Sequence, residues 1–299
     1  MPSSSSTATL TVLTVGSEAR EIGDRMTFTQ ADLLSAVERS PRLAAAHDRA
    51  GWVSLYTPDA VIEDPVGSRA HRGTDRIDRF YATFIAPRDI AFHVRSDVVV
   101  DQTVVRDVDL EVRMSPRVTM TIPAVLQYDL APVGGRPKIS RLQAFWELPG
   151  MVGQFLRSGP RAVPVGGALG VALLRNQGPA GAAGFLAGLR SVGATGKRGV
   201  ERFLRDAAGG DEVAVRRRLG RGTRVTVGEH RPLSGTDLLA LLAGGRCDRL
   251  IAAGRHVVAA VRTPDGEPAV LIADVGTRPF TIARLRVFAG PGLTGVDGG

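Results

Sequence analysis

The chain reads YTPDAVIEDPVG over residues 56–67 and, three residues later, HRGTDRIDRFY over residues 71–81. The apolar residues before Asp64 predict a strand, and the Asp64-Pro65 pair predicts a tight turn directly after it. A short helix is expected to open at Gly73. The carboxylate of Asp64 therefore stands where an apolar strand meets a turn. This position suits an acid or base that reaches into a hydrophobic cavity.

The composition indicates a globular protein with a substantial core. The 299 residues suffice for two ordinary domains, and 43% are hydrophobic while 23% are charged. The net charge of +8 comes almost entirely from arginine, since lysine occurs only at Lys138 and Lys197. The arginines are scattered among acids through the first half, and no aromatic-rich basic groove accompanies them. We therefore expect no nucleic-acid partner.

The cysteine and histidine content argues against metal chemistry. Cys247 is the single cysteine, which excludes an internal disulfide and fits a reducing cytoplasm. The five histidines are dispersed without the spacing of metal ligands. The sequence thus predicts a cytoplasmic protein without a metal or another cofactor.

The N-terminal residues differ from the rest of the chain. The start lacks the positive region of a secretory signal, and Ser3 to Ser6 form a serine run. We expect residues 1–28 to be a disordered extension and residues 291–299 to be a short tail. Met26 stands just before the first predicted helix, so translation could start at Met1 or at Met26.

The pattern over residues 29–148 predicts helices followed by an antiparallel meander. A helix is expected from Thr29, and Ser40-Pro41 reads as the cap and first-turn proline of a second helical segment. Strand-like runs then follow to the end of this half. This order predicts an α+β fold in which a curved antiparallel sheet wraps helices.

Residues 149–196 are rich in Gly and Ala and are punctuated by arginines. Their uncharged runs are too short to span a bilayer, which needs about 20 apolar residues. One interpretation is a linker with one or two short helices packed on a domain. The other is a peripheral, arginine-fringed membrane contact through residues 159–193.

Two fragments of the first half recur in order in residues 197–290. Gly73-Thr74-Asp75 is repeated as Gly235-Thr236-Asp237, and the closing fragment IxRLxxF at residues 139–145 is repeated at residues 282–288. Together they predict a duplicated fold. Aligned on its strand, the second copy has Gly228 at the place of Asp64, so we expect it to have lost any chemistry.

The segment from Tyr56 to Tyr81 resembles the ketosteroid isomerase and SnoaL-like branch of the nuclear transport factor 2-like superfamily. The matching features are Asp64-Pro65, Gly67, Gly73 and Phe80-Tyr81, without a gap. The closing strand, which ends in Phe145-Trp146, is also similar. The resemblance implies two cone-shaped NTF2-like domains, at residues 29–148 and, in degenerate form, at residues 197–290.

The resemblance also implies roles for individual residues. Asp64 matches the family's aspartate that moves a proton between carbons next to a carbonyl, and ketosteroid isomerase is itself the standard example of this chemistry. Tyr56 and Tyr81 match tyrosines that support the active-site network, and we predict both as catalytic residues, with one of them as an alternative donor to the oxyanion. The family's two oxyanion donors, however, fall on Ser40 and Ala124, and the loss of one such donor typically costs ~100- to 1000-fold in rate.

Strand alternation predicts the wall of a pocket around Asp64. If Ala124 faces inward, every second residue of its strand and of the closing strand does so too. With Trp52 from the helix, the predicted substrate-binding residues are Trp52, Ile122, Ala124, Leu126, Tyr128, Leu142, Ala144 and Trp146. Such a wall suits a small, flat hydrophobic ligand.

Two classes of function follow from these features. The first is an isomerase-like or cyclase-like enzyme that uses Asp64 as general base on a steroid, a terpenoid or a polyketide. The second is a non-catalytic module that binds an apolar ligand or mediates dimerisation, either between the two halves as an intramolecular pseudo-dimer or between chains as a homodimer. Water attack on an epoxide is a weaker third alternative, because that family's paired acids with an intervening arginine are not visible.

Overall fold

The structure is a computed structural model that describes residues 28–157, 159–220 and 222–290, without the side chains of residues 161 and 162. The N-terminal extension predicted over residues 1–28, apart from Phe28, lies outside the described residues, as does the tail over residues 291–299. Met1 and Met26, the two alternative translation starts, also lie outside the described residues.

The first half is a six-stranded sheet with helices against one face. Its elements are α1 (Gln30–Ala45), α2 (Arg49–Ser54), β1 (Tyr56–Glu63), β2 (His71–Arg72), α3 (Thr74–Phe80), a π-helical turn (Tyr81–Ile85), β3 (Asp89–Val100), β4 (Thr103–Ser115), β5 (Val118–Val133) and β6 (Arg136–Trp146). The strand order is β2-β1-β6-β5-β4-β3. β1 runs parallel to β6, whereas the other neighbours are antiparallel.

Residues 148–189, which we call the middle segment, are helical over the described residues 148–157 and 159–189. They comprise α4 (Leu148–Arg157), a 3₁₀ turn (Gly159–Arg161), α5 (Ala162–Leu186) and a second 3₁₀ turn (Ala187–Leu189). Within α5 the backbone leaves the helical region at Gly178, with φ 69°, and Pro179 follows. A positive φ is available to glycine without steric cost, and proline cannot continue the preceding turn, so these two residues kink the helix.

The second half repeats the order of the first. Its elements are α6 (Gly193–Ala208), α7 (Glu212–Leu219), β7 (Arg224–Val227), β8 (Arg231–Pro232), α8 (Gly235–Leu242), β9 (Arg246–Ala253), β10 (His256–Arg262), β11 (Pro268–Thr277) and β12 (Phe280–Ala289). The strand order β8-β7-β12-β11-β10-β9 is that of the first sheet, again with one parallel pair, β7 with β12. The predicted α+β fold with two curved-sheet domains is confirmed.

Helix α1 begins where the sequence predicts. The Thr29 hydroxyl accepts a hydrogen bond from the backbone N–H of Asp32, and the Asp32 carboxylate accepts one from the backbone N–H of Thr29. This reciprocal pair satisfies two N–H groups that the first turn leaves without helical partners. The helix then turns Leu33 and Val37 into the core, where both are almost fully buried.

The predicted helix start at Ser40-Pro41 is wrong, because α1 continues through both residues to Ala45. Ser40 is buried inside the helix, and its hydroxyl accepts a hydrogen bond of 3.1 Å from the Trp52 indole N–H. A capping side chain accepts a hydrogen bond from a backbone N–H of its own helix. The Ser40 hydroxyl accepts from the Trp52 side chain instead. The new helix instead begins after Asp48, whose carboxylate caps the Gly51 N–H at 2.8 Å.

The outer face of the first sheet packs against the second half. Phe145 is completely buried in a core shared with the second half, and its ring lies edge-on to His256 at 5.7 Å. Burying a phenylalanine in this way stabilises a fold by about 1.5–3 kcal/mol. Polar contacts accompany the core: Glu229 Oε1 accepts hydrogen bonds from the Gln127 amide at 2.9 Å and from Arg286 at 2.7 Å.

Candidate active site

A cavity of about 140 Å³ lies inside the first half, between the sheet and the helices. Its wall is mainly aliphatic and aromatic, with four side chains able to make strong polar contacts, namely Ser40, Asp64, Arg88 and Tyr128. A mostly apolar wall with a few polar groups is the usual character of a small-molecule site.

Asp64 lies on this wall, immediately after β1 ends at Glu63. Its carboxylate accepts a hydrogen bond of 2.6 Å from the indole N–H of Trp146 on β6. Burial raises the pKa of Asp64 to about 6, and the hydrogen bond from Trp146 opposes this only partly. Removal of water penalises the charged form and makes the carboxylate a stronger base than an aspartate in solution.

Two hydroxyl groups share the cavity wall with Asp64. Because the Ser40 oxygen already accepts from Trp52, its own proton remains for another acceptor. Burial raises the pKa of the Tyr128 phenol, and the charge of Asp64 adds to this effect. Tyr128 is therefore a protonated hydrogen-bond donor at neutral pH.

Arg88 is the polar group of the wall that sequence reasoning missed. Its guanidinium donates to the backbone oxygens of Thr83 and Phe84, each at 2.8 Å, at the end of the π-helical turn. Burial lowers its pKa to about 10. Its Nε also donates to the sulfur of Met114 at 2.9 Å. No carboxylate among the described residues forms a salt bridge with Arg88, so its positive charge faces neutral acceptors. Arg88 follows Ala86-Pro87 at the end of a helix, and no sequence motif indicates a site residue at that position.

Most of the residues predicted from alternation lie on the cavity wall. They are Trp52, Ile122, Leu126, Tyr128, Leu142 and Trp146, together with Asp64. Ala124 and Ala144 belong to the same strands but do not line the cavity. Both are at most 1% exposed, because longer neighbours cover their single methyl groups. Their prediction as substrate-binding residues therefore does not agree with the geometry.

Tyr56 and Tyr81 do not line the cavity either. Their rings pack against the Trp52 ring, with centroids 4.7 and 5.4 Å away, and both hydroxyls are buried without a described hydrogen-bond partner. The structure thus places them behind Trp52, where they can support it. No described hydrogen bond joins either hydroxyl to Asp64, although the charge of Asp64 contributes, after burial, to the raised pKa of Tyr56. A catalytic role for the two tyrosines stays a prediction.

The middle segment supplies one part of the wall that the sequence did not predict. Met151 of α4 and Leu169 and Phe185 of α5 all line the cavity. The Phe185 ring packs on Phe84 with a centroid distance of 5.3 Å. The Gln177 amide donates to the Thr83 hydroxyl at 3.2 Å. The middle segment therefore covers the cavity.

The second half has no acid at the position of Asp64. Glu63 pairs with Gln143 and Thr226 pairs with Arg286, and these two pairs correspond in the repeat. The residue that follows is Asp64 in the first half and Val227 in the second. The expected equivalent, Gly228, is therefore off by one residue. Val227 is 3% exposed in a filled core, so the expected absence of an acid there stands.

A curved sheet that wraps helices around an apolar cavity, with one half-buried carboxylate on the wall, defines a class of small-molecule binding and isomerising proteins. The family model described as a SnoaL-like domain matches residues 37–148. A steroid Delta-isomerase of Nocardioides simplex is 31% identical over 127 residues, which are 41% of this chain and 95% of that protein. The chain belongs to the ketosteroid isomerase and SnoaL-like branch of the NTF2-like superfamily.

Solved structures give similar matches over the same share of the chain. A ketosteroid isomerase from a Mycobacterium species is 24% identical, covers 40% of this chain and 95% of its own, and has a TM-score of 0.36. An epoxide hydrolase of Mycobacterium tuberculosis is 16% identical, covers 46% of this chain and 97% of its own, and has a TM-score of 0.37.

Proposed function

We propose that the first half, residues 29–148, is an isomerase-type enzyme in which Asp64 moves a proton next to the carbonyl group of a small hydrophobic compound. The substrate class is a steroid, a terpenoid or a polyketide. The observation that carries the proposal is the Asp64 carboxylate in an apolar cavity, with a pKa raised to about 6. The steroid Delta-isomerase relative supports the reaction class.

In the proposed reaction, ionised Asp64 takes a proton from the carbon next to the carbonyl. The electron pair moves onto the carbonyl oxygen as an enolate, and the same carboxyl group then returns the proton to a different carbon. Atoms and charge balance without a cofactor. A base whose pKa lies near the working pH serves both directions of this transfer.

The enolate oxygen needs hydrogen-bond donors, and Tyr128 is the strongest neutral one on the wall. We assign it this role together with Ser40, since Ala124 cannot donate from its side chain. A serine hydroxyl is a weaker donor than a protonated carboxylic acid. We therefore expect slower turnover than in a family member with both donors, since each lost donor typically costs ~100- to 1000-fold.

The size of the cavity bears on the ligand. Drug-sized ligands usually occupy pockets of roughly 300–1,000 Å³, whereas this cavity measures about 140 Å³. A ligand with four fused rings would therefore displace part of the wall. Met151, Leu169 and Phe185 belong to the middle segment rather than to the sheet, so they are the side chains that can move without breaking the strand ladder.

The test is a spectrophotometric assay with an unconjugated enone steroid, in which isomerisation to the conjugated ketone changes the ultraviolet absorbance. Asp64→Asn should lower kcat/KM by about 100- to 10,000-fold, because general-base catalysis typically contributes that much. For the wild type, kcat/KM should rise with pH through about 6, since only the ionised carboxylate accepts the proton.

Asp59→Asn is the matched control. Asp59 lies on the same strand, β1, but is exposed and bonds only to Thr57 nearby. Its substitution should leave kcat/KM within about twofold. Turnover that survives Asp64→Asn would remove Asp64 as the base. Saturable quenching of Trp52 or Trp146 fluorescence without turnover by the wild type would favour the non-catalytic binding module.

We further propose that residues 197–290 act as a non-catalytic partner of the first half. They cover the outer face of its sheet, through Phe145 and Gln127, and carry valine at the place of the base. Their contribution to function would then be stability rather than chemistry.

A further inference from the structure

The apolar surface of the middle segment is unusual. Among the described residues, ten large aliphatic side chains are exposed, and seven of them belong to this segment. These seven are Val152, Leu156, Val163, Val171, Leu174, Leu186 and Leu189. Single exposed hydrophobic residues are normal on a protein surface, whereas a group of them indicates an interaction site.

The exposed residues of α5 follow one helical stripe. Val163, Gly167, Val171 and Leu174 are exposed at intervals of three or four residues. The opposite stripe, with Leu169 and Leu173, faces the first half. A surface helix normally carries polar residues on its outer side. This helix is apolar on both sides. Its outer side therefore has the composition of a buried surface although it is exposed.

The charge of the segment is uniformly positive. No Asp or Glu occurs between Glu147 and Glu201, while Arg157, Arg175 and Arg190 are exposed in the same interval. None of these three arginines forms a salt bridge with an acid among the described residues. Arginines beside an exposed apolar stripe complement a surface that has negative charge above a hydrocarbon interior, which is the character of an anionic lipid bilayer.

The described helices of the middle segment can lie along such a surface but cannot cross a bilayer. Among the described residues, no helix is both long enough and apolar enough to cross a bilayer. The kink at Gly178 and the charge of Arg175 interrupt α5 in the middle. An interfacial helix buries its apolar side only ~5–10 Å deep, which fits the single exposed stripe.

The same helices form the wall of the cavity on their inner side. Leu169 and Phe185 line the cavity, and Val171 and Leu174 face outward on the same helix. The polar links of α5 to the first half are few: the Gln177 amide to Thr83, and the Gly184 carbonyl, which accepts from the Arg69 backbone N–H at 3.1 Å. One helix layer, ~10 Å thick, thus separates the outer surface from the cavity.

From these observations we infer that the outer face of the middle segment docks on the surface of an anionic lipid bilayer, directly above the cavity. An apolar ligand dissolved in the bilayer would then reach Asp64 by passing one helix layer and would not have to cross water. The inference does not depend on whether the ligand is isomerised or only bound.

Co-sedimentation of the full chain with vesicles tests the inference. The vesicles are phosphatidylcholine alone, or phosphatidylcholine with roughly one third phosphatidylglycerol as the anionic lipid. We expect binding to the anionic vesicles that weakens at high salt. The double substitution Val171→Gln with Leu174→Gln should reduce the partition coefficient at least about tenfold, because the apolar contribution to interfacial binding scales with the buried hydrocarbon.

Val213→Gln is the matched control, since Val213 is equally exposed but lies on α7 of the second half. It should leave the partition coefficient unchanged. Without vesicles, every variant should keep the unfolding temperature of the wild type. Arg175→Gln should weaken binding to anionic vesicles only.

Three results would overturn the inference. The wild type fails to bind anionic vesicles, or the double variant binds as well as the wild type. In the third, sedimentation equilibrium reveals self-association that the double variant abolishes, which would assign the stripe to a second copy of the chain.

Discussion

The two halves of the protein share one topology but differ in what the sheet encloses. Val125 pairs with Phe145 in the first sheet, and Val270 pairs with Phe288 at the corresponding place in the second. β5 begins seven residues before Val125, at Val118, whereas β11 begins only two residues before Val270, at Pro268. The first sheet therefore extends about five residues further at this end.

The additional length is what creates the cavity. Leu110, Val112 and Met114 of β4 and Met120 and Ile122 of β5 line it, and they all lie in the extended hairpin. In the second half the hairpin stops before it could project over the helices, and Phe203 and Leu238 fill the interior with almost no exposed surface. The same fold thus encloses a cavity when its strands are long and a filled core when they are short.

The largest expected effect comes from giving the second half the carboxylate of the first. Val227→Asp would place an acid at the position of Asp64 but in a filled core with no cavity to accept it. Burying an unpaired carboxylate costs several kcal/mol, so we expect the free energy of unfolding to fall by about 3–5 kcal/mol in urea denaturation. Val213→Asp, on an exposed site, should change it by less than about 0.5 kcal/mol. A small effect at Val227 would mean that this core admits water.

Removing the carboxylate from the first half by Asp64→Asn should stabilise the fold. The pKa of Asp64 is raised to about 6 in the folded protein, above its ordinary value of 3.8. The carboxyl group therefore keeps its proton to higher pH in the folded state, so stability is lost as the pH rises from about 4 to about 6 and stays lower above that. Asp64→Asn should raise the free energy of unfolding at pH 8 by about 2–3 kcal/mol, since two pKa units correspond to ~2.7 kcal/mol.

The pH dependence checks the cause of that gain. Below about pH 3 the wild-type carboxyl is protonated in both the folded and unfolded states, so the difference between wild type and Asp64→Asn should vanish there. Chemical denaturation at pH 3, 6 and 8 measures it. A gain that is constant with pH would show that Asn packs better and that the carboxylate is not desolvated.

The smallest effect is expected from making the first half more like the second by filling its cavity. Ala44 lines the cavity, whereas Ala36 lies two turns earlier on α1 and is buried outside it. Ala44→Leu should stabilise the fold by about 1 kcal/mol and weaken ligand binding, because cavity filling adds apolar contacts. Ala36→Leu should destabilise it by about 1–3 kcal/mol through overpacking. Equal effects at the two positions would contradict the cavity.

The sequence predicts the duplicated fold well because its markers are local. The fragments around Gly73 and Gly235 and the two closing strands require only neighbouring residues to be read. Alternation also predicts that Ile122, Leu126, Tyr128 and Leu142 face inward, since parity along a strand is a local property. It fails for Ala124 and Ala144, because parity gives direction and says nothing about whether a methyl group reaches the cavity past longer side chains.

The rest of the site depends on contacts distant in sequence. Phe185 and Met151 reach the cavity only because the middle segment folds back over it, and a segment that is apolar on both sides has no periodicity to indicate which side faces in. Arg88 is positioned by the carbonyls at the end of the π-helical turn, which no sequence pattern predicts. The pair Ser40-Pro41 resembles the start of a helix in the sequence, whereas the hydrogen bond of Ser40 to Trp52 is a tertiary contact.

The bond between Gln127 and Glu229 joins residues 102 positions apart on one polypeptide. A cover supplied by another molecule would dissociate on dilution, and the fold beneath it would lose that support. Here the covering sheet is tethered, so its local concentration stays fixed however few copies a cell contains. The protein can therefore keep the outer side of its cavity-forming sheet covered at any expression level.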